Sequence, residues 1–124
     1  MNDPARESVW LALSELWLDT ELDKSDRAAI AKTLAISGFS VAELEAIYRL
    51  EVAPVVWTNA WATAGVWQGF DPDWLFEACR RNQKRRHSLW HRGRCRLLRR
   101  AMTAAVEDDW QSVKALVQGA TLAR

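Results

Sequence analysis

The chain has 124 residues, of which 49% are hydrophobic and 27% are charged, and its formal net charge is +1. This composition is typical of a soluble globular domain and excludes a disordered or fibrous chain. The two cysteines, Cys79 and Cys95, are too few for a disulfide framework and lack a Cys-x-x-Cys spacing, which favours a reducing compartment. No apolar run approaches the roughly 20 residues of a membrane span, and the N-terminus lacks a signal-peptide pattern. We therefore expect a single cytoplasmic domain over residues 1–124, without a membrane span.

The near-zero net charge hides a strong asymmetry along the chain. Residues 1–78 hold 13 acidic and 5 basic side chains, whereas residues 79–100 hold 10 basic side chains and no acidic one. The chain also contains eight tryptophans, and each indole N–H needs a hydrogen-bond partner when it is buried. We expect most of them to lie in the core, and at least one between Trp57 and Trp74 to be exposed.

The first predicted elements are two helices. Pro4 follows an aspartate and occupies a first helical position, where a missing N–H costs nothing, so a first helix runs from there to about Leu18. A second helix begins at a cap provided by Asp23 or Ser25 and ends near Gly38.

The third and fourth helices are predicted on either side of a proline. Ser40 and Glu43 have the spacing of a capping box, which starts the third helix. Pro54 disfavours helical geometry at Ala53, so we expect this helix to end near Glu51 and the fourth helix to open at Pro54.

Three further helices complete the prediction. Pro72 begins the fifth, Ser88 caps the sixth, and Asp108 or Asp109 caps the last. The fifth is expected to bury Trp74, Leu75 and Cys79. The sixth is expected to bury Leu89, Trp90, Leu97, Leu98, Ala101, Met102, Ala105 and Val106. The last is expected to bury Trp110, Val113 and Val117. The fold class is therefore all-α, an irregular or orthogonal bundle of about six to seven helices, with helices 1, 3, 4 and 6 supplying most of the core.

The basic segment 80–100 is the clearest candidate for a functional surface. Arginine outnumbers lysine nine to one between residues 79 and 100, and its planar fork suits carboxylates and phosphates. The segment could bind nucleic acid, an acidic protein or a membrane surface, or it could pair with the acidic half of the same chain or of a second copy in a homodimer. The candidate anion-binding residues are Arg80, Arg81, Lys84, Arg85, Arg86, Arg92 and Arg94.

The sequence contains no motif that specifies a reaction. A nucleophile elbow, a phosphate loop and a paired zinc motif do not occur in it. His87, His91 and Cys95 would share one face of a continuous helix as metal ligands, but the surrounding cations disfavour a dication there. We expect no catalytic residues, no cofactor and no metal site, and hence a protein that is not an enzyme.

Four segments of the chain resemble an uncharacterised family of small, tryptophan-rich, helical bacterial proteins. They are residues 13–21, 40–45, 51–55 and 64–75. The resemblance implies a bacterial cytosolic protein and no particular chemistry. Small bacterial proteins with an acidic face are often immunity proteins that block a toxin, which is an analogy of size and style.

Two functions from different classes follow as hypotheses. The first is a non-catalytic protein-binding module of immunity or regulatory type, which contacts its partner through an acidic face made of Glu15, Asp19, Glu21, Asp23 and Asp26. The alternative is a nucleic-acid-binding protein that uses the basic segment 80–100.

Overall fold

The structure, a computed structural model, describes residues 4–18, 23–62, 72–104 and 106–122, and of residues 18, 58–62 and 121–122 only the backbone. The helices are α1 (Pro4–Leu18), α2 (Lys24–Ile36), α3 (Val41–Ala46), a π segment (Ile47–Val52), α4 (Ala53–Ala62), α5 (Pro72–Arg85), α6 (Leu89–Thr103) and α7 (Glu107–Leu122). The described residues include no strand. The all-α prediction is therefore confirmed.

The helices pack into one bundle around α1 and the π segment. α1 contacts α2, α4, α5 and the π segment, while α2 lies along α7. α6 lies against the π segment and α4. None of the helices in the described ranges is both long enough and apolar enough to cross a membrane.

Side-chain caps start three helices where the sequence predicts them. Asp23 accepts a hydrogen bond of 2.7 Å from the N–H of Asp26, and the Asp26 carboxylate accepts the Asp23 N–H at 3.2 Å, which makes a reciprocal capping box. Ser40 and Ser88 each accept from the N–H three residues further on, at 3.1 and 3.4 Å. Beyond the end of α2, Gly38 has a φ of 87°, a left-handed conformation that glycine adopts at little cost.

The predicted break between helices 3 and 4 is wrong, because the chain stays helical through α3, the π segment and α4. The helix widens before Pro54, so that the N–H of Ala53 donates to the carbonyl of Tyr48, five residues earlier. Pro54 has no N–H to donate to the carbonyl of Leu50, four residues earlier. His91 Nε2 lies 2.9 Å from that carbonyl oxygen. A side chain from α6 thus replaces a hydrogen bond that the proline removes.

The prediction that helix 6 supplies much of the core is also wrong. Of the residues predicted to be buried there, Met102 and Val106 are buried and Ala105 lies outside the described residues, whereas Leu89, Trp90 and Leu97 are 85%, 83% and 83% exposed. The inner side of α6 also buries His91 and Cys95. Successive helical residues are rotated by about 100°, which puts the three exposed side chains on the side opposite the buried ones. α6 is apolar on two sides, and only one of them packs onto the bundle.

α7 contributes to the core where α6 does not. Its Trp110, Val113 and Val117 are buried, as predicted. In α5 the predicted burial of Leu75 and Cys79 is confirmed, but Trp74 is 37% exposed. The Trp57 side chain is half-buried, and the side chains of Trp61 and Trp67 lie outside the described residues. One exposed indole in the stretch from Trp57 to Trp74 agrees with the prediction.

Candidate functional site

The cations of the predicted basic segment fall into two groups, and the first group faces inward. Arg80 Nη2 donates to Glu7 at 2.8 Å. Arg86 Nη1 donates to Glu43 at 2.6 Å and to Glu51 at 3.0 Å. These two arginines pair with the acidic half of their own chain, which was one of the alternatives for the whole segment.

The second group is exposed and makes no ion pair within the described part of the chain. Its members are Arg81, Lys84, Arg85, Arg92 and Arg94. α6 adds three further exposed arginines, which are Arg96, Arg99 and Arg100. The positive charge that the sequence concentrates in residues 80–100 is therefore mostly displayed to solvent.

Arg6, Glu43, Glu51 and Arg86 form a charge network that we call the Glu51 cluster. Glu51 lies in the π segment and is fully buried. Its carboxylate accepts from Arg6 Nη1 at 2.9 Å to each oxygen, from Trp10 Nε1 at 2.9 Å and from Arg86 Nη1 at 3.0 Å. Glu43 is one-third exposed and accepts from Arg6 Nη2 at 3.2 Å. The cluster balances two guanidinium groups with two carboxylates, which is the condition under which charge is tolerated inside a protein.

The electrostatic effects within the cluster follow from these contacts. The hydrogen bond from Arg86 holds the pKa of the Glu43 carboxyl below its ordinary value, and the same bond raises the pKa of Arg86. The Glu43 carboxylate of the predicted capping box therefore bonds to two arginines. The one sequence signal for the cluster is an isolated glutamate, Glu51, in the apolar run from Leu50 to Val56.

His91 and Cys95 lie together beneath α6, but their geometry does not activate the thiol. Cys95 Sγ is 3.6 Å from His91 Nε2. His91 Nε2 also lies 2.9 Å from the Leu50 carbonyl oxygen, which can only accept a hydrogen bond. The hydrogen-bond network therefore assigns a proton to Nε2. A protonated Nε2 cannot take a proton from the thiol. Burial raises the pKa of Cys95, so the reactive thiolate is disfavoured.

The structure does not bring His87, His91 and Cys95 together on one helix face as metal ligands. His87 lies in the link between α5 and α6 rather than on a helix continuous with His91 and Cys95. Within the described ranges, no group of three or more His, Cys, Asp or Glu side chains could hold a metal ion.

The predicted acidic face is described in part. Asp19 and Glu21 lie outside the described residues. Asp23 and Asp26 are exposed and form the capping box of α2, so they have a structural role. Glu15 is exposed on α1, and partial burial together with the charge of Asp26 raises the pKa of its carboxyl.

The outward side of α6 forms a surface that the sequence prediction assigned to the core. We call it the α6 surface and define it by five exposed residues: Leu89, Trp90, Arg94, Leu97 and Arg100. The spacing of three and four residues from Trp90 through Arg94 and Leu97 to Arg100 is the signal by which a helical projection could have found them as one stripe. The sequence of α6 does not show which of its two apolar sides faces solvent.

A groove of about 690 Å³ lies between α6 and the continuous helix formed by α3, the π segment and α4. We call it the α6 groove. Its small and apolar lining includes Ala42, Ala46, Leu50, Ala53, Gly93 and Met102. Its cationic lining consists of Arg49, Arg92, Arg96 and Arg99. Such a volume falls in the range of small-molecule sites, which is about 300–1,000 Å³.

The described residues thus define an all-helical protein with an arginine-rich outer helix. Residues 4–116 match the model of a family described as a domain of unknown function, DUF7079. The chain belongs to this family, and the predicted resemblance to an uncharacterised family is confirmed. Comparison with curated proteins gives no match, and comparison with solved structures gives none.

Proposed function

We propose that this protein is a non-catalytic protein-binding module, of immunity or regulatory type, that engages a bacterial partner protein through the α6 surface. The observation that supports this function most directly is the exposure of Leu89, Trp90 and Leu97, each at least 83% accessible, on one helix. The same helix carries five arginines and no acidic residue.

The energetics of this surface favour a protein partner. Burying an exposed large apolar side chain contributes about 1.5–3 kcal/mol, so the three side chains together offer roughly 4.5–9 kcal/mol. Tryptophan and arginine are also the residue types that dominate binding energy at protein interfaces. The matching partner surface has an apolar pocket for Trp90 and acidic groups around it for Arg94 and Arg100.

Affinity purification with the wild-type chain and three variants tests the proposal. The wild-type chain, used as bait in nuclease-treated extract of the source organism, is expected to recover one protein in stoichiometric amount. A Trp90→Ala, Leu97→Ala double variant should recover at least about tenfold less of it. Both side chains are exposed, so the double variant should unfold at the wild-type temperature.

A matched control is available on α7. Leu116 is 45% exposed and lies outside the α6 surface, so Leu116→Ala should recover the partner as the wild type does. Full recovery by the double variant, or the absence of any stoichiometric partner, would contradict the proposal. Loss of recovery only in Glu15→Lys would move the interface to the acidic face.

Nucleic-acid binding is the second candidate, and one observation favours it. Five predicted cations are exposed and unpaired among the described residues, while Arg80 and Arg86 are committed to carboxylates. Five phosphate contacts predict that log affinity for duplex DNA falls with log salt at a slope of about −4.5. A flat salt response would reject this candidate, and Arg80→Ala should leave the slope unchanged.

A further inference from the structure

We infer that the α6 groove binds an amphiphilic anion, a molecule with an apolar chain and a single terminal carboxylate or phosphate. The inference does not need the proposed function to hold. Leu89 of the α6 surface also lines the groove, but the inference rests on the arginines and small residues of the lining rather than on Trp90 and Leu97, and a small molecule is its occupant.

The first step concerns the charge balance of the groove. Glu45 is the acidic residue of its lining, and it is already engaged. It accepts from Arg49 Nη2 at 2.6 Å and from Trp110 Nε1 at 2.6 Å, and Lys114 Nζ lies 3.7 Å away. The groove therefore has no free carboxylate to oppose its other cations.

The second step concerns donors without acceptors. Arg49 Nε is buried and has no hydrogen-bond partner among the described residues. The Nη2 of Arg49 donates to Glu45, so the guanidinium has donor capacity that the described residues do not use fully. Arg92, Arg96 and Arg99 line the same groove and make no ion pair with any described residue. Guanidinium forks of this kind recognise carboxylate and phosphate oxygens.

The third step concerns the apolar part of the lining. Ala42, Ala46 and Ala53 all line the groove from the side of the continuous helix. Across the groove, Gly93 presents no side chain, and a Cβ added there would meet no atom within 4 Å. Small residues on both walls leave room for an alkyl chain, whose burial an inorganic anion could not provide.

Four simple probes test the ligand chemistry by isothermal titration calorimetry of the whole protein. Decanoate and decyl phosphate carry both features, acetate carries only the charge, and decanol carries only the chain. We expect a decyl anion to bind at least about tenfold more tightly than acetate or decanol. A preference between the two decyl anions identifies the source as a fatty acid or as a phosphate ester. Equal affinity of decanol and both anions, or no binding of either anion, would overturn the inference.

Three variants test the location. Gly93→Leu fills the groove, and it should keep the fold because the space is open and leucine favours a helix more than glycine does. Arg92→Ala combined with Arg99→Ala removes two forks, whereas Arg100→Ala removes an arginine of α6 that does not line the groove. The first two variants should weaken decyl-anion binding at least about tenfold, and the third by less than about twofold. Unchanged binding by Gly93→Leu and the double variant would refute the site whether or not a partner protein has been found.

Discussion

Replacing Glu51 by glutamine should severely destabilise the protein, although the two side chains have nearly the same shape. The Glu51 carboxylate is fully buried and accepts from Arg6, Trp10 and Arg86. A glutamine oxygen could keep one or two of these bonds, but its NH₂ group would then point at a guanidinium N–H, donor against donor. Arg6, itself 8% exposed, would also lose a full opposing charge.

The magnitude follows from the burial of the pair. Breaking a buried ion pair by removing one partner costs about 3–5 kcal/mol, against a total stability of about 5–15 kcal/mol for a domain. The expected fall in melting temperature is roughly 10–20 °C. Urea unfolding followed by circular dichroism, with linear extrapolation to zero denaturant, measures the free energy of unfolding directly.

Glu77→Gln is the matched control, because Glu77 is an exposed carboxylate on α5. Its free energy of unfolding should change by less than about 0.5 kcal/mol. If the free energy of unfolding of Glu51→Gln stays within about 1 kcal/mol of wild type in the same experiment, the buried ion pairs of the Glu51 cluster do not stabilise the fold.

Three other outcomes can be measured on the same preparations. The pKa of Glu43 is lower in the folded protein than in the unfolded chain, so the unfolded chain takes up a proton first as pH falls. The stability that this group contributes is therefore present above its ordinary pKa of about 4.5 and is lost as pH falls below it. Glu43→Gln should reduce the dependence of the free energy of unfolding on pH in that range. Burial raises the pKa values of Cys79 and Cys95, so both thiols should react with Ellman's reagent far more slowly in the folded protein than in urea, and rapid reaction of either in the folded state would contradict their burial. Trp90 is 83% exposed on an arginine-rich helix, whose positive charge attracts iodide and repels caesium, so iodide should quench its fluorescence better than caesium does. Trp90→Phe should remove most of the difference between the two quenchers.

The local features of this fold are the ones that could be predicted from the sequence. The caps at Asp23, Ser40 and Ser88 depend on a side chain and a backbone N–H only three residues away, so a short stretch of sequence contains both partners. The buried stripe of α7 is similar, because its apolar residues lie on one side of the helix only.

The features that could not be predicted depend on distant partners. Pro54 was expected to end a helix, and the helix continues because His91, 41 residues from Leu50 in the chain, bonds to the Leu50 carbonyl. α6 was assigned to the core because its apolar residues are numerous, but they lie on two sides, and only the packing of other helices decides which side is covered. The α6 groove joins Arg49 to three arginines of the basic segment 80–100, and no single stretch of sequence contains this set because the groove exists only between two helices.

The Glu51 cluster also bears on when the protein can fold during its synthesis. Its contacts join residues separated by 45 and 35 positions in the chain. A nascent chain that ends before Arg86 already contains α1 to α5, yet lacks the second guanidinium of the Glu51 cluster. Arg6 can pair with Glu51 in such a chain, but Glu43 and Glu51 then place two carboxylates against one guanidinium, which opposes their burial. The same chain lacks the buried side chains of α7. We therefore expect translation products that stop short of Arg86 to stay open and to be degraded by cellular proteases.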